Sequence, residues 1–223
     1  MTTTLKPAIH LVNRAASALL LPLLLCTCGP ATSTEESTVI TAPTEAPAPD
    51  TGPNYTFASG DHFGDINKSM TPEELLNTYG AEVTAATLYG PEGITYAGYK
   101  LYPGTPAEAE FTHFEDEPLV FTIKQPASPW TGMDGRLRIG MSLAELVALN
   151  GQPITFFGLG WDYGGYVMNY NGGTLRDYTI RLDATAGENF PASLSGDQEI
   201  STQGIQSLAE VPVAVSSISV SLE

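Results

Sequence analysis

Ten consecutive positions, Phe156 to Gly165, read FFGLGWDYGG and hold the chain's densest set of side chains able to grip another molecule. Large rigid rings give much contact area at little entropic cost, and glycines allow the sharp backbone turns that expose them. Phe157, Trp161, Asp162 and Tyr163 are therefore the candidate binding residues. A competing reading places Phe156 and Trp161 in the core, with Asp162 capping a turn.

The histidines offer less. His113 sits in FTHFED on a predicted strand, where alternation gives it the Phe111 face and a structural role. His62 lies in SGDHFGD beside Asp61 and Asp65, but no H-x-x-x-H pair or cysteine accompanies it, so no metal site is expected. No G-x-S-x-G elbow, phosphate-binding loop, dinucleotide fingerprint or zincin helix occurs, and no cofactor is implied. The enzymatic alternative is a pair of carboxylates assembled in space, as glycoside hydrolysis requires.

At the N-terminus, Lys6 and Arg14 precede an apolar run from Ala15 to Leu25, about eleven residues against the roughly 20 of a spanning helix. The run ends directly at Cys26 and Cys28. This resembles the lipobox of bacterial lipoproteins, in which a cysteine takes a diacylglycerol and signal cleavage follows. Cys28 is the favoured site, with Leu25 three residues before it and small Thr27 at the cut; Cys26 is the alternative. Residues 1–27 would be the signal peptide, and Gly29 after the cysteine points by resemblance to the outer membrane or cell surface. A plain secreted protein is the competing reading.

The charge is formally −16, and loss of residues 1–27 leaves seven bases against 25 acids, a net charge of −18. Seven scattered cations cannot form the basic patch that nucleic acid requires, so that partner is excluded. An anionic bilayer surface would also be repelled, leaving the lipid as the membrane attachment and an envelope protein as the expected partner. Residues 28–53 are rich in proline, serine and threonine and contain no aromatic, the composition of a tether. Residues 54–223 are long enough for one core.

Within that domain, MTPEELLNTYG at Met70–Gly80 and MSLAELVALNG at Met141–Gly151 superpose at an offset of 71 residues. Thr71 with Glu74, and Ser142 with Glu145, form capping boxes, and Gly80 and Gly151 stand at the stops. Two short helices are predicted, with Leu75, Leu76, Leu146, Val147 and Leu149 facing inward. Strands are read at about 94–102, 107–114 and 118–124 after the first helix, and at about 153–159, 164–170, 177–183 and 215–222 after the second. The expected fold is α+β, a tandem repeat of short helix plus antiparallel β-meander, with repeats at about 66–124 and 136–223. Trp130 is read as a plug between them. Residues 184–214 show no period and are read as a long loop with a short helix near Ile205–Ala209.

This repeat resembles the architecture of the tandem-repeat β-lactamase inhibitory proteins and of the small lipoprotein of the outer-membrane assembly machinery. The run RIGMSLAELVALNG, followed by P, F, G and WDYGG, is similar to a motif of uncharacterised bacterial envelope proteins. The resemblance implies an envelope address and carries no activity. The expected function is a non-catalytic protein- or ligand-binding module; the alternative is an envelope-polymer hydrolase.

Overall fold

The computed structural model describes residues 52–112 and 117–223; Cys26, Cys28, the residues expected to be a signal peptide, most of those expected to be a tether, and His113 lie outside the described residues. In chain order the elements are β1 (Thr56–Ala58), β2 (His62–Phe63), β3 (Ile66–Asn67), α1 (Pro72–Tyr79), β4 (Val83–Tyr89), β5 (Thr95–Leu101), β6 (Ala109–Thr112) and β7 (Leu119–Ile123). After these come β8 (Thr131–Gly132), α2 (Leu143–Asn150), β9 (Thr155–Phe157), β10 (Val167–Asn169), β11 (Thr179–Ala184), β12 (Glu199–Ser201) and β13 (Val213–Leu222).

The expected α+β tandem repeat is overturned. Among the described residues, thirteen strands in three sheets stand against two eight-residue helices, a β-rich fold. Both helices form where their caps predict: Glu74 N–H donates to Thr71 Oγ1 while Thr71 N–H donates back to Glu74 Oε2, and Ser142 and Glu145 do the same. The two helices lead into different strand arrangements. After α1 the chain runs β4 to β7 in antiparallel succession, whereas after α2 it enters a separate three-stranded sheet of order β10-β9-β12. Two caps of like sequence thus start helices and say nothing about the strands beyond them. The inward faces also differ from expectation: Leu75, Leu143 and Leu146 are fully buried, Leu76 is exposed, and Val147 and Leu149 are half-buried.

The largest sheet has the order β11-β13-β7-β6-β5-β4. It joins the two halves because the C-terminal β13 inserts between β7 and β11, pairing Val220 with Phe121 and Ile180 with Ile218. One face is apolar: Ala109, Ile123 and Ile218 lie in one row, Phe111, Phe121 and Val220 in the next. Against it pack α2 and a small sheet of order β3-β2-β1-β8, whose Phe63 stacks on Phe121 with ring centroids 4.4 Å apart. Trp130 lies in this core at 3.9 Å from the Phe63 ring, and its Nε1–H donates to Ala107 O at 2.8 Å. The segment 184–214 holds β12 and three short 3-10 turns, of which Leu208–Glu210 replaces the helix expected at 205–209.

Candidate functional site

The loop from Gly158 to Tyr166 is built by close backbone contacts that its glycines permit. Gly158 N–H donates to Gln198 O at 2.8 Å and Leu159 N–H to Leu194 O at 2.7 Å, which fixes the start of the loop on the 194–198 segment. Trp161 Nε1–H then donates back to Gly158 O at 2.7 Å, and Gly164 N–H to Trp161 O at 2.9 Å, closing a tight turn. Gly165 has φ 81°, and a Cβ there would collide with the carbonyl of Leu182. Only glycine lets the loop lie against β11, where Leu182 N–H donates to Gly165 O at 2.9 Å. Arg181 locks the junction: its Nε–H donates to Gly164 O at 2.8 Å and its guanidinium carbon sits 5.2 Å from the centre of the Tyr166 ring.

The predicted residues come together here. Trp161 meets the ring of Phe157 edge-on at 5.7 Å and that of Tyr163 at 5.5 Å. Phe157 and Trp161 are half-buried, Tyr163 and Asp162 are exposed, and Phe156 belongs to the core. Trp161 and Asp162 line a groove; Phe157 and Tyr163 support Trp161 from beside it.

That groove, of about 800 Å³, crosses the outer face of the six-stranded sheet. Its floor is dictated by register. Glu110, Thr122, Ser219 and Thr179 are cross-strand neighbours on β6, β7, β13 and β11, so one polar row runs across the face opposite the core. Thr122 and Ser219 share a hydrogen bond of 2.9 Å between their hydroxyls. A β-bulge at Ser216, opposite the step from Arg181 to Leu182, brings both Ser216 and Ser217 into the lining, where a regular strand would offer one. One wall is Trp161, Asp162 and Tyr166; the other is the β4–β5 hairpin with Leu88, Tyr96 and the turn at Gly90 and Pro91. Leu88 is 2% exposed although it sits on this outer face, because Gly98 on β5 leaves it room to lie flat.

The groove's charges nearly balance. Glu110, Asp162 and Asp183 face Lys124 and Arg181, with Lys124 paired to Glu110 and Arg181 turned to backbone carbonyls. The larger electrostatic shifts lie elsewhere: burial pushes the Tyr102 hydroxyl up to about 12, and burial likewise raises Tyr170. At the sheet's far corner the Gly104 backbone N–H and then Lys100 hold the Glu108 carboxyl below the usual range. His62 has both ring nitrogens near partners, Asp61 Oδ2 at 2.9 Å and Thr56 Oγ1 at 3.3 Å. No group of three or more histidine, cysteine or carboxylate side chains able to hold a metal occurs among the described residues.

The sequence did not single out Arg181, Tyr96, Tyr166 or the hydroxyl floor. The spaced serines of β13 were a usable signal for a wet face; the loop–Arg181 contact is tertiary and leaves none. Among the described residues, no helix is long and apolar enough to cross a membrane. No family model, curated protein or solved structure matches this chain.

Proposed function

We propose that this chain is a lipid-anchored bacterial envelope protein whose β-sheet domain is a non-catalytic binding module for a neutral, hydroxyl-rich ligand, a segment of saccharide. The observation that carries the reading is a floor of serine and threonine hydroxyls set between walls bearing Tyr96, Trp161 and Tyr166. Hydroxyls and carboxylates match a ligand whose own hydroxyls both donate and accept, while flat rings cover the apolar faces of sugar rings. A purely apolar ligand would strand the floor's polar groups, and an anionic one would enter the field of a chain at −16 with the groove's two cations already engaged. The segment 138–165, on which the resemblance to envelope proteins rests, supplies α2, β9 and most of the loop forming one wall. Anchoring through Cys28 would place the groove among envelope polymers.

A panel of neutral and charged oligosaccharides, followed by calorimetry on the retained ones, tests this. Thr122→Val and Asp162→Ala remove polar lining from half-exposed and exposed positions, so binding should weaken about tenfold while the melting temperature holds. Retention of anionic sugars only, or equal binding by both variants, would exclude the reading. Release of shortened sugars during incubation would instead establish the hydrolase.

A further inference from the structure

The two edges of the six-stranded sheet are unlike. At β11 the edge is closed by the 164–166 segment, through the Gly165–Leu182 bond and a bridge from Tyr166 to Arg181. At β4, among the described residues, no strand lies beyond. The β4–β5 hairpin is bracketed by bonds from Gly90 N–H to Ile94 O at 2.8 Å and from Tyr102 N–H to Glu82 O at 2.7 Å. Antiparallel pairing alternates, so in this register Thr84, Ala86 and Leu88 bond to β5, while Ala85, Thr87 and Tyr89 turn their N–H and C=O outward. Such an edge templates further pairing unless charge, proline or a bulge protects it, and VTAATLY has none of these.

We infer that this edge is the contact surface for a second copy of the same chain, joined by antiparallel β4–β4 pairing about a two-fold axis at Ala86. Three observations select that occupant. First, the outward groups are self-complementary: Ala85 of one copy meets Thr87 of the other, and Ala86, with only a methyl side chain, faces itself where non-hydrogen-bonded pairs approach most closely. Second, Val83 to Tyr99 contains a single charged residue, Glu92, in a chain of net charge −16. An equally acidic partner can approach along this strip without like-charge repulsion. Third, among the described residues the two most exposed of the large apolar side chains, Tyr89 at 71% and Ile94 at 57%, both sit on this hairpin, and the pairing sets Tyr89 of each copy across from Val83 of the other. The edge is small beside a standard interface of ~1,600 Å², so dissociation constants in the micromolar range are expected.

The two-fold axis stands normal to the sheet, so both outer faces lie on one side of a continuous sheet. If the grooves bind saccharide as proposed above, one polymer strand can engage both and gain avidity without new contacts. The assembly itself does not depend on that reading.

Sedimentation of the full chain in non-ionic detergent, carrying Cys26→Ser and Cys28→Ser, should show a dimer at tens of micromolar. Ala85→Glu with Thr87→Glu places like charges directly opposite and should weaken it at least about tenfold; mixing with the Ala85→Lys, Thr87→Lys counterpart should restore a heterodimer. In the same serine background, Ala86→Cys should form a disulfide-linked dimer and Thr84→Cys should not, since Thr84 lies opposite Leu88 of the other copy. A monomer at that concentration, a dimer indifferent to the charges, or equal cross-linking at both positions would overturn the inference. If circular dichroism shows the glutamate variant unfolded, the cysteine pair decides alone.

Discussion

Replacement of Asn150 tests how the end of α2 is held to the chain that runs on into the sheet. This last residue of α2 is 1% exposed, and its side chain ties the helix end to the segment that leads into β11. Nδ2 donates to Gln152 O at 2.8 Å and to Tyr170 O at 2.9 Å, and Oδ1 accepts from Leu175 N–H at 3.2 Å. The neighbouring Gly173 is packed so closely on the amide that a Cβ there would collide with it. Asn150→Ala removes three hydrogen bonds at about 1 kcal/mol each and leaves Leu175 N–H buried without a partner, while Tyr170 O keeps the bond from Gly173 N–H and exposed Gln152 can rehydrate. The expected loss is ~3–5 kcal/mol in urea unfolding. Asn150→Asp keeps the shape but sets a carboxylate oxygen against two carbonyls. Its folded pKa must then rise above the unfolded value of about 3.9, since only the protonated acid can donate. Proton-dependent stability is therefore fully present below about pH 3.9 and is lost as pH rises through the folded pKa. The deficit of Asn150→Asp against the parent should be larger at pH 7 than at pH 5 by ~1 kcal/mol or more. A pH-independent deficit, or a loss below ~1 kcal/mol for Asn150→Ala, would refute the claim that this amide organises the junction between α2 and the segment leading into β11.

Two further substitution sets separate local strain from packing and charge. Gly165→Ala should cost ~3 kcal/mol or more and detach the Trp161 loop from β11, because it adds a backbone collision to a positive φ; Gly160→Ala, with φ 88° and its nearest neighbour Phe190 at 3.4 Å, should cost only ~1 kcal/mol in the same denaturation assay. The capping carboxyls of Glu74 and Glu145 are held below their ordinary 4.5, chiefly by the backbone N–H groups of Thr71 and Ser142, so the stability they contribute is present above that value and lost as pH falls through the depressed pKa; Glu74→Gln with Glu145→Gln should flatten the urea midpoint between about pH 5 and 2.5, and an unchanged slope would place the acid sensitivity elsewhere.

The parts of this fold that were legible in the sequence are those whose information is local. A capping box spans four residues, so Thr71 with Glu74 and Ser142 with Glu145 announced both helices and their first turns. The aromatic–glycine density at 156–165 marked the loop that became a groove wall, because turn chemistry and ring content are both readable within ten positions. By contrast β4 has no apolar alternation to read: Ala85, Thr87 and Tyr89 are exposed and Leu88 is buried on the outer face. Strands of two or three residues, such as β2 and β8, are too short to show a period.

The repeat misled because matching caps dictate matching starts and nothing more. The strands each helix leads to are decided by partners far away, and β13 shows how: it comes after both proposed repeats have begun, yet it pairs with β7 from the first half and β11 from the second. That single insertion brings Thr122 beside Ser219, 97 residues apart, and joins the hairpin wall with Tyr96 to the loop wall with Tyr166. Hydroxyls on a sheet face carry no sequence motif, since the same serines serve equally well on an inert wet surface. Their meaning comes from the walls that enclose them, and the walls come from topology. A binding groove of this kind is therefore visible only once strand order is known, whereas its most distinctive ring, Trp161, can be singled out from the sequence alone.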